Sequence, residues 1–239
     1  MEELNQINNK NSDKKIKLVA FDLYGVCANC WNSFSILKEI EKEIAENLKL
    51  DSIKDIRNAN REVRKILLTQ PVDIEKPIIL KNWSKILLSE GLIKKIKENI
   101  NWIWLYDDFL DTIQELKKRW YKTAVVSNLA QIYEAPLRNG LIPPDTFDYE
   151  VLSFEVWDTK PNPKMFEYLH EISWVDYNQT FFVWDRFWFD IEWAWKKWIN
   201  PALICRPENI EEDGEIKNME KRWIKYIQIS TLKQLLQIL

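Results

Sequence analysis

From residue 107 onward, stretches of helical periodicity alternate with short apolar runs. The pattern predicts helices over 107–119, 130–138, 163–173, 189–197 and 231–238, and strands over 122–126, 148–152, 180–184, 201–205 and 225–229. A further strand, Leu18–Phe21, comes first and runs into a polar loop at Asp22. Between these regions, residues 33–48, 51–68, 76–90 and 92–100 carry helical periodicity with no convincing strand among them. Helices alternating with short apolar strands predict a doubly wound, Rossmann-like parallel α/β sheet covered on both faces. The expected organisation is a disordered tail (1–15), an α/β core (16–26 and 106–239) and an inserted all-helical cap (27–105).

The strands ending at Phe21, Val126 and Trp184 each run into polar residues. Ligands of open α/β sheets bind at that edge. Composition narrows the chemistry. The 34 basic and 37 acidic residues are spread along the chain, with no basic stripe for nucleic acid. Charged stretches such as Glu115–Arg119 read as solvated helix surface. No apolar run approaches the roughly 20 residues of a membrane span, and the polar N-terminus lacks the apolar segment of a secretory signal. A soluble cytoplasmic protein acting on a small molecule is expected. Three cysteines, Cys27, Cys30 and Cys205, fit a reducing compartment better than a disulfide scaffold. Cys27 and Cys30 form a CxxC, but a zinc site wants about four ligands and the chain offers one further Cys and one His. That histidine, His170, falls inside a helical pattern, where a surface role is expected. Carboxylate chemistry is the better expectation.

One feature of composition is anomalous. Ordinary usage predicts roughly 17 glycines in a chain of this length; there are 4, alongside 13 tryptophans. Trp120, Trp174 and Trp198 follow helices, where a left-handed residue favours glycine. Trp184 and Trp188 flank Asp185 in an expected active-site loop, where backbone must approach a ligand. The expectation is that many of these tryptophans are glycines in the natural protein, through UGA codons that some genetic codes read as Gly. The alternative is a truly Trp-rich protein.

Four elements stand at or near strand ends, in order: FDLYGV with Asp22, VVSN with Ser127 and Asn128, TKPNPKMF with Lys160, and FFVWDRFWFD with Asp185 and Asp190. Together they resemble the haloacid dehalogenase superfamily of hydrolases, whose first motif is a strand followed by Asp-x-Asp-x-Thr/Val. The resemblance covers about 16–26 and 106–206, and the insertion resembles that family's helical type of cap. It implies that Asp22 attacks the substrate to form a covalent aspartyl intermediate. Ser127 and Asn128 would bind substrate, Ser127 by hydrogen-bonding a transferring oxygen, and Lys160 would neutralise charge on the nucleophile and phosphoryl group. Mg²⁺ would be held by Asp22, Asp185 and the backbone carbonyl of Tyr24, with Asp190 in direct or outer contact.

The sequence departs from the family pattern at two places. Trp184 stands where a Gly usually precedes the fourth motif. Tyr24 stands where phosphatases of the family carry a second Asp as acid and then base. With a reference value of about 10, Tyr is a poor base near neutrality. Asp-x-Tyr-Gly resembles instead the 2-haloacid dehalogenases, whose departing halide needs no proton; those enzymes use no metal and generally lack the first acid of the fourth motif. Mg²⁺-dependent hydrolysis of a small phosphorylated metabolite is the leading expectation. Haloacid dehalogenation and a catalytically weak binding protein are the alternatives.

Overall fold

The computed structural model describes residues 15–30, 33–185, 200–206 and 226–239. The expected tail, the expected helix 189–197, Asp190, Trp188 and Trp198 lie outside them.

Six strands build the central sheet: β1 (Leu18–Phe21), β6 (Lys122–Ser127), β7 (Tyr149–Leu152), β8 (Thr180–Trp184), β9 (Asn200–Ile204) and β10 (Ile227–Ile229), in the order β10-β9-β8-β1-β6-β7. Every pairing is parallel. All four residues of β1 are buried. Val19 and Phe21 join one apolar cluster, and Leu18 and Ala20 join a second on the opposite face. That alternation explains the continuous apolar run: a central parallel strand has no solvent face. The chain moves outward from β1 through β6 to β7, then returns to β1's other side for β8. The order therefore reverses at β1, and a crevice opens at the carboxyl ends of β1, β6 and β8.

Helices α4 (Phe109–Lys118), α5 (Ala135–Arg138), α7 (Pro163–Ser173) and α8 (Leu235–Ile238) fall within expected helical stretches, and a short α6 (Ser153–Val156) was not expected. A 3₁₀ turn, Gln131–Glu134, occupies the start of the expected helix 130–138, and another, Leu232–Gln234, opens the last one.

Residues 33–100 have an apolar cluster of their own, which includes Ile36, Ile44, Val63, Leu67, Ile86 and Ile96. Three helices, α1 (Ser33–Asn47), α2 (Ile53–Thr69) and α3 (Glu90–Ile100), build it together with the segment 74–88. The helix expected over 76–90 is not formed. Strands β3 (Ile78–Ile79) and β4 (Lys85–Ile86) make an antiparallel hairpin there. Ile78, Leu80, Ile86 and Leu88 are buried, whereas Ile79 and Leu87 are exposed, so period two wins over period 3.6. The turn closes with Trp83 N–H donating to Leu80 O and Leu80 N–H to Ser84 O, each at 2.9 Å. A second antiparallel pair joins β2 (Ala28–Cys30) to β5 (Ile103–Leu105), where the chain leaves and re-enters the core. The insertion is thus helical with two small strand pairs, not all-helical.

Six described residues other than glycine have positive φ, and four are tryptophans: Trp83 (66°), Trp120 (67°), Trp157 (62°) and Trp174 (56°). After α4, Trp120 N–H donates to Lys117 O and Tyr121 N–H to Leu116 O, the paired bonds of a Schellman helix stop. Trp157 and Trp174 are the left-handed caps of α6 and α7. Trp184 differs: it ends β8 in extended backbone, fully buried, and its indole N–H has no hydrogen-bond partner among the described residues.

Candidate active site

Asp22 is the first residue beyond β1, and its N–H donates to Val183 O on β8. Its carboxylate is held on both oxygens. Oδ1 accepts from Ser127 Oγ and from Leu23 N–H, each at 2.7 Å. Oδ2 accepts from the Lys160 ammonium at 2.6 Å. Ser127 is the last residue of β6, the strand paired to β1. Lys160 arrives from the loop before α7, 138 positions away in sequence.

Lys160 is only 2% exposed. A buried ammonium needs compensation, and it has three sources: Asp22, the carbonyl of Val126 at 2.9 Å, and the face of Phe182 with its centroid 5.3 Å away. Asn128 fixes the loop that carries it. Asn128 Nδ2 donates to Lys160 O at 2.9 Å, and Lys160 N–H donates to Asn128 Oδ1 at 2.7 Å.

Asp185 follows β8, on the other side of β1. Its carboxylate packs directly on Gly25, whose φ is +80°. The residues expected to meet are therefore brought together at one sheet edge: Asp22, Ser127, Lys160 and Asp185, with the Tyr24 backbone between Asp22 and Gly25. Gly25 itself was not singled out from sequence, although its place among only four glycines was a usable signal.

Donor chemistry at this edge fits a hard cation. Two carboxylates and a backbone carbonyl are the oxygen ligands Mg²⁺ prefers. A carboxylate offers about four lone-pair positions; three donors engage Asp22. Asp22, Asp185 and Lys160 leave one net negative charge, so a phosphate dianion would need further positive charge to enter. Among the described residues no group of three or more His, Cys, Asp or Glu side chains is gathered for a metal.

Tyr24 stands two residues beyond Asp22. Its hydroxyl donates to the carbonyl of Tyr133 at 2.8 Å, and the two rings meet edge to face with centroids 6.4 Å apart. Tyr133 lies in the 3₁₀ turn after β6, a partner that sequence spacing did not signal. Cys27 is buried, and its thiol lies 3.2 Å from the Asp22 carbonyl. Burial, with the Asp22 carboxylate adding, pushes that thiol well above its ordinary range. His170 caps its own helix instead of serving the site: Nδ1 is 2.7 Å from Val175 O, and the ring stacks on Tyr177.

Arg206, just past β9, was not anticipated. Its guanidinium binds Asp108 through both nitrogens (2.8 and 2.9 Å), donates to Val26 O at 2.8 Å, and lies 3.9 Å from the Tyr106 ring centroid. Both crossings between core and insertion are tied to it.

No helix of the described residues is long and apolar enough to cross a membrane. Among curated proteins, none matches the sequence. Solved structures do. A HAD phosphatase from Thermococcus onnurineus superposes with a TM-score of 0.59 at 20% identity, covering 93% of this chain and 97% of that one. A HAD family enzyme from Bacteroides thetaiotaomicron, in complex with magnesium and inorganic phosphate, gives 0.52 at 21% identity, covering 84% and 98%. An L-2-haloacid dehalogenase from Xanthobacter autotrophicus with covalently bound chloropropionic acid gives 0.56 at 16% identity, covering 94% and 98%. These similarities establish a shared fold. The family of haloacid dehalogenase-like hydrolases matches residues 16–194, about three quarters of the sequence. The chain belongs to the haloacid dehalogenase-like hydrolases.

Proposed function

We propose that this chain is a Mg²⁺-dependent phosphohydrolase of a small phosphorylated metabolite, working through a phosphoryl group carried on Asp22. The observation that carries the reading is the Asp22 carboxylate held between Ser127 and Lys160, with a second carboxylate, Asp185, on the next strand end. A dehalogenase needs no second carboxylate there; a cation site does.

Asp22, Asp185 and the Tyr24 carbonyl would hold Mg²⁺, with Asp190 as a further ligand. The ion would supply positive charge against the phosphate dianion and orient it. The remaining work falls to the chain. A carboxylate oxygen of Asp22 attacks phosphorus, and the bond from phosphorus to the leaving oxygen breaks. Ser127 moves its hydrogen bond from Asp22 to a phosphoryl oxygen. Lys160 stabilises charge on both. Asn128 holds Lys160 in place through the loop backbone, which is the part we assign it in substrate binding. Residues 27–105 would cap the crevice, and a cytoplasmic setting suits the free thiols.

The test is an activity screen with and without Mg²⁺. Phosphate release that requires Mg²⁺ and disappears in Asp22→Asn is the expected result. Tyr24 favours a second reading, 2-haloacid dehalogenation. Mg²⁺-independent turnover of 2-chloropropionate, with no phosphate release, would select it.

A further inference from the structure

Resting on that reading, we infer that the enzyme acts on phosphoryl donors whose leaving group departs as a stable anion, acyl phosphates and phosphoanhydrides, and that phosphorylated Asp22 accumulates during turnover.

An alkyl phosphate releases an alkoxide, which must receive a proton as the bond breaks. The protein has no carboxylic acid two residues beyond Asp22. The hydroxyl there belongs to Tyr24, and its hydrogen is given to the Tyr133 carbonyl. The other described donors at Asp22 are committed as well: Ser127 Oγ and Leu23 N–H to Oδ1, Lys160 to Oδ2 and Val126 O. Each of these is also required for charge, not for proton delivery. A carboxylate or phosphate leaving group takes the bonding electron pair and departs without a proton, so the first step balances with no acid.

The second step carries the same deficit in reverse. Water adds to phosphorus, the bond from phosphorus to Asp22 breaks with its electrons returning to the carboxylate, and the water proton must leave. A base at residue 24 would take it. A phenol that donates to a carbonyl does not, so the proton passes to solvent and hydrolysis is slow. General acid–base assistance contributes on the order of 10²–10⁴ in rate, enough to make this step limiting.

The experiment uses the full chain with Mg²⁺ and three substrates: acetyl phosphate, p-nitrophenyl phosphate and glycerol 3-phosphate. The expected result is a burst of p-nitrophenolate near one per enzyme, then the same steady rate as with acetyl phosphate. Glycerol 3-phosphate should turn over more slowly than both, with no burst phase of its own, because its first step lacks the proton its alkoxide needs. Acid quench should trap phosphate on Asp22. Tyr24→Asp should abolish the burst and speed glycerol 3-phosphate turnover by at least about 10²; trapping on the unaltered chain decides the matter if that variant does not fold. Equal rates on all three substrates with no burst would overturn this inference alone. No phosphate release from any of them would overturn the phosphatase reading itself.

A separate observation, the backbone at four tryptophans, points to the residues themselves. We infer that the natural protein carries glycine at positions 83, 120, 157 and 174. A left-handed backbone costs any residue with a Cβ and costs glycine nothing. Trp83, Trp120, Trp157 and Trp174 are 82%, 93%, 59% and 91% exposed, so little indole packing offsets that cost. At position 83 the left-handed residue ends the turn closed by Trp83 N–H to Leu80 O, the last place of a three-residue hairpin loop, where glycine is favoured. Positions 120, 157 and 174 are helix stops, where glycine is preferred.

Peptide masses from the protein made in its own organism test this. Glycine masses at the four positions, with UGA codons in the gene, are expected. Tryptophan masses, or UGG at all four, would overturn it. In the Trp-bearing chain, Trp120→Gly and Trp174→Gly should each raise the thermal midpoint by about 2–4 °C; a lower midpoint in both would overturn the backbone argument.

Discussion

Gly25 and Asp185 are in such close contact that a Cβ atom on residue 25 would stand 1.9 Å from Asp185 Oδ2 and 2.3 Å from its Cγ. The glycine is required twice, since its φ of +80° also disfavours any side chain. Gly25→Ala must displace the Asp185 carboxylate. The Mg²⁺ concentration needed for half-maximal activity should rise by about 10–100-fold, with the fold retained. A titration of activity against Mg²⁺ checks this; an unchanged midpoint would remove Asp185 from the cation site.

Ser127 and Lys160 share the Asp22 carboxylate, one per oxygen, so their loss should differ in kind. Ser127→Ala removes a neutral donor and should lower kcat by about 10²–10³. Lys160→Met removes the described site's only ammonium and should cost at least as much, with a larger rise in KM for a dianionic substrate. Steady-state kinetics of both variants separates the two roles.

Arg206 and Asp108 form a bidentate pair, the guanidinium buried and the carboxylate largely so. Arg206→Met leaves the largely buried Asp108 carboxylate with one remaining described donor, the Leu232 N–H. Breaking such a pair from one side costs about 3–5 kcal/mol, read as a shift in the urea midpoint. Adding Asp108→Leu should recover part of that loss, because two apolar residues leave no charge unpaired. A double-mutant cycle measures the coupling.

Thiol chemistry should divide the cysteines. Cys27 and Cys205 are both free thiols; Cys27 is fully buried, whereas Cys205 is half-buried. Burial raises the Cys205 thiol above its ordinary value, and a hydrogen bond with Gln228 offsets part of this. A raised value means less thiolate at a given pH, so its alkylation by iodoacetamide should need a higher pH than that of an unfolded cysteine. Cys27 should stay unmodified until denaturant is added. Peptide-resolved mass spectrometry over a pH series reads both.

Strands β1 and β8 of the core were legible to the residue, at Leu18–Phe21 and Thr180–Trp184, because apolar runs bounded by polar loops leave few alternatives. The hairpin at 78–86 was not. Ile79 and Leu87 are exposed apolar residues that fill the polar half of a period-two pattern, and Trp83 hides a turn that glycine would have announced.

By itself the sequence determined the order of elements, the carboxylate at the end of β1, and the presence of Ser127, Lys160 and Asp185 at or beyond the ends of later strands. These are local properties, set by periodicity and by residue type. Only the tertiary structure decided that β1 lies between β6 and β8, which carries an ammonium 138 residues away to 2.6 Å from Asp22. It also decided that the Tyr24 hydroxyl is spent on Tyr133, a partner 109 residues distant. Such contacts depend on strand order and loop path, and a linear pattern encodes neither.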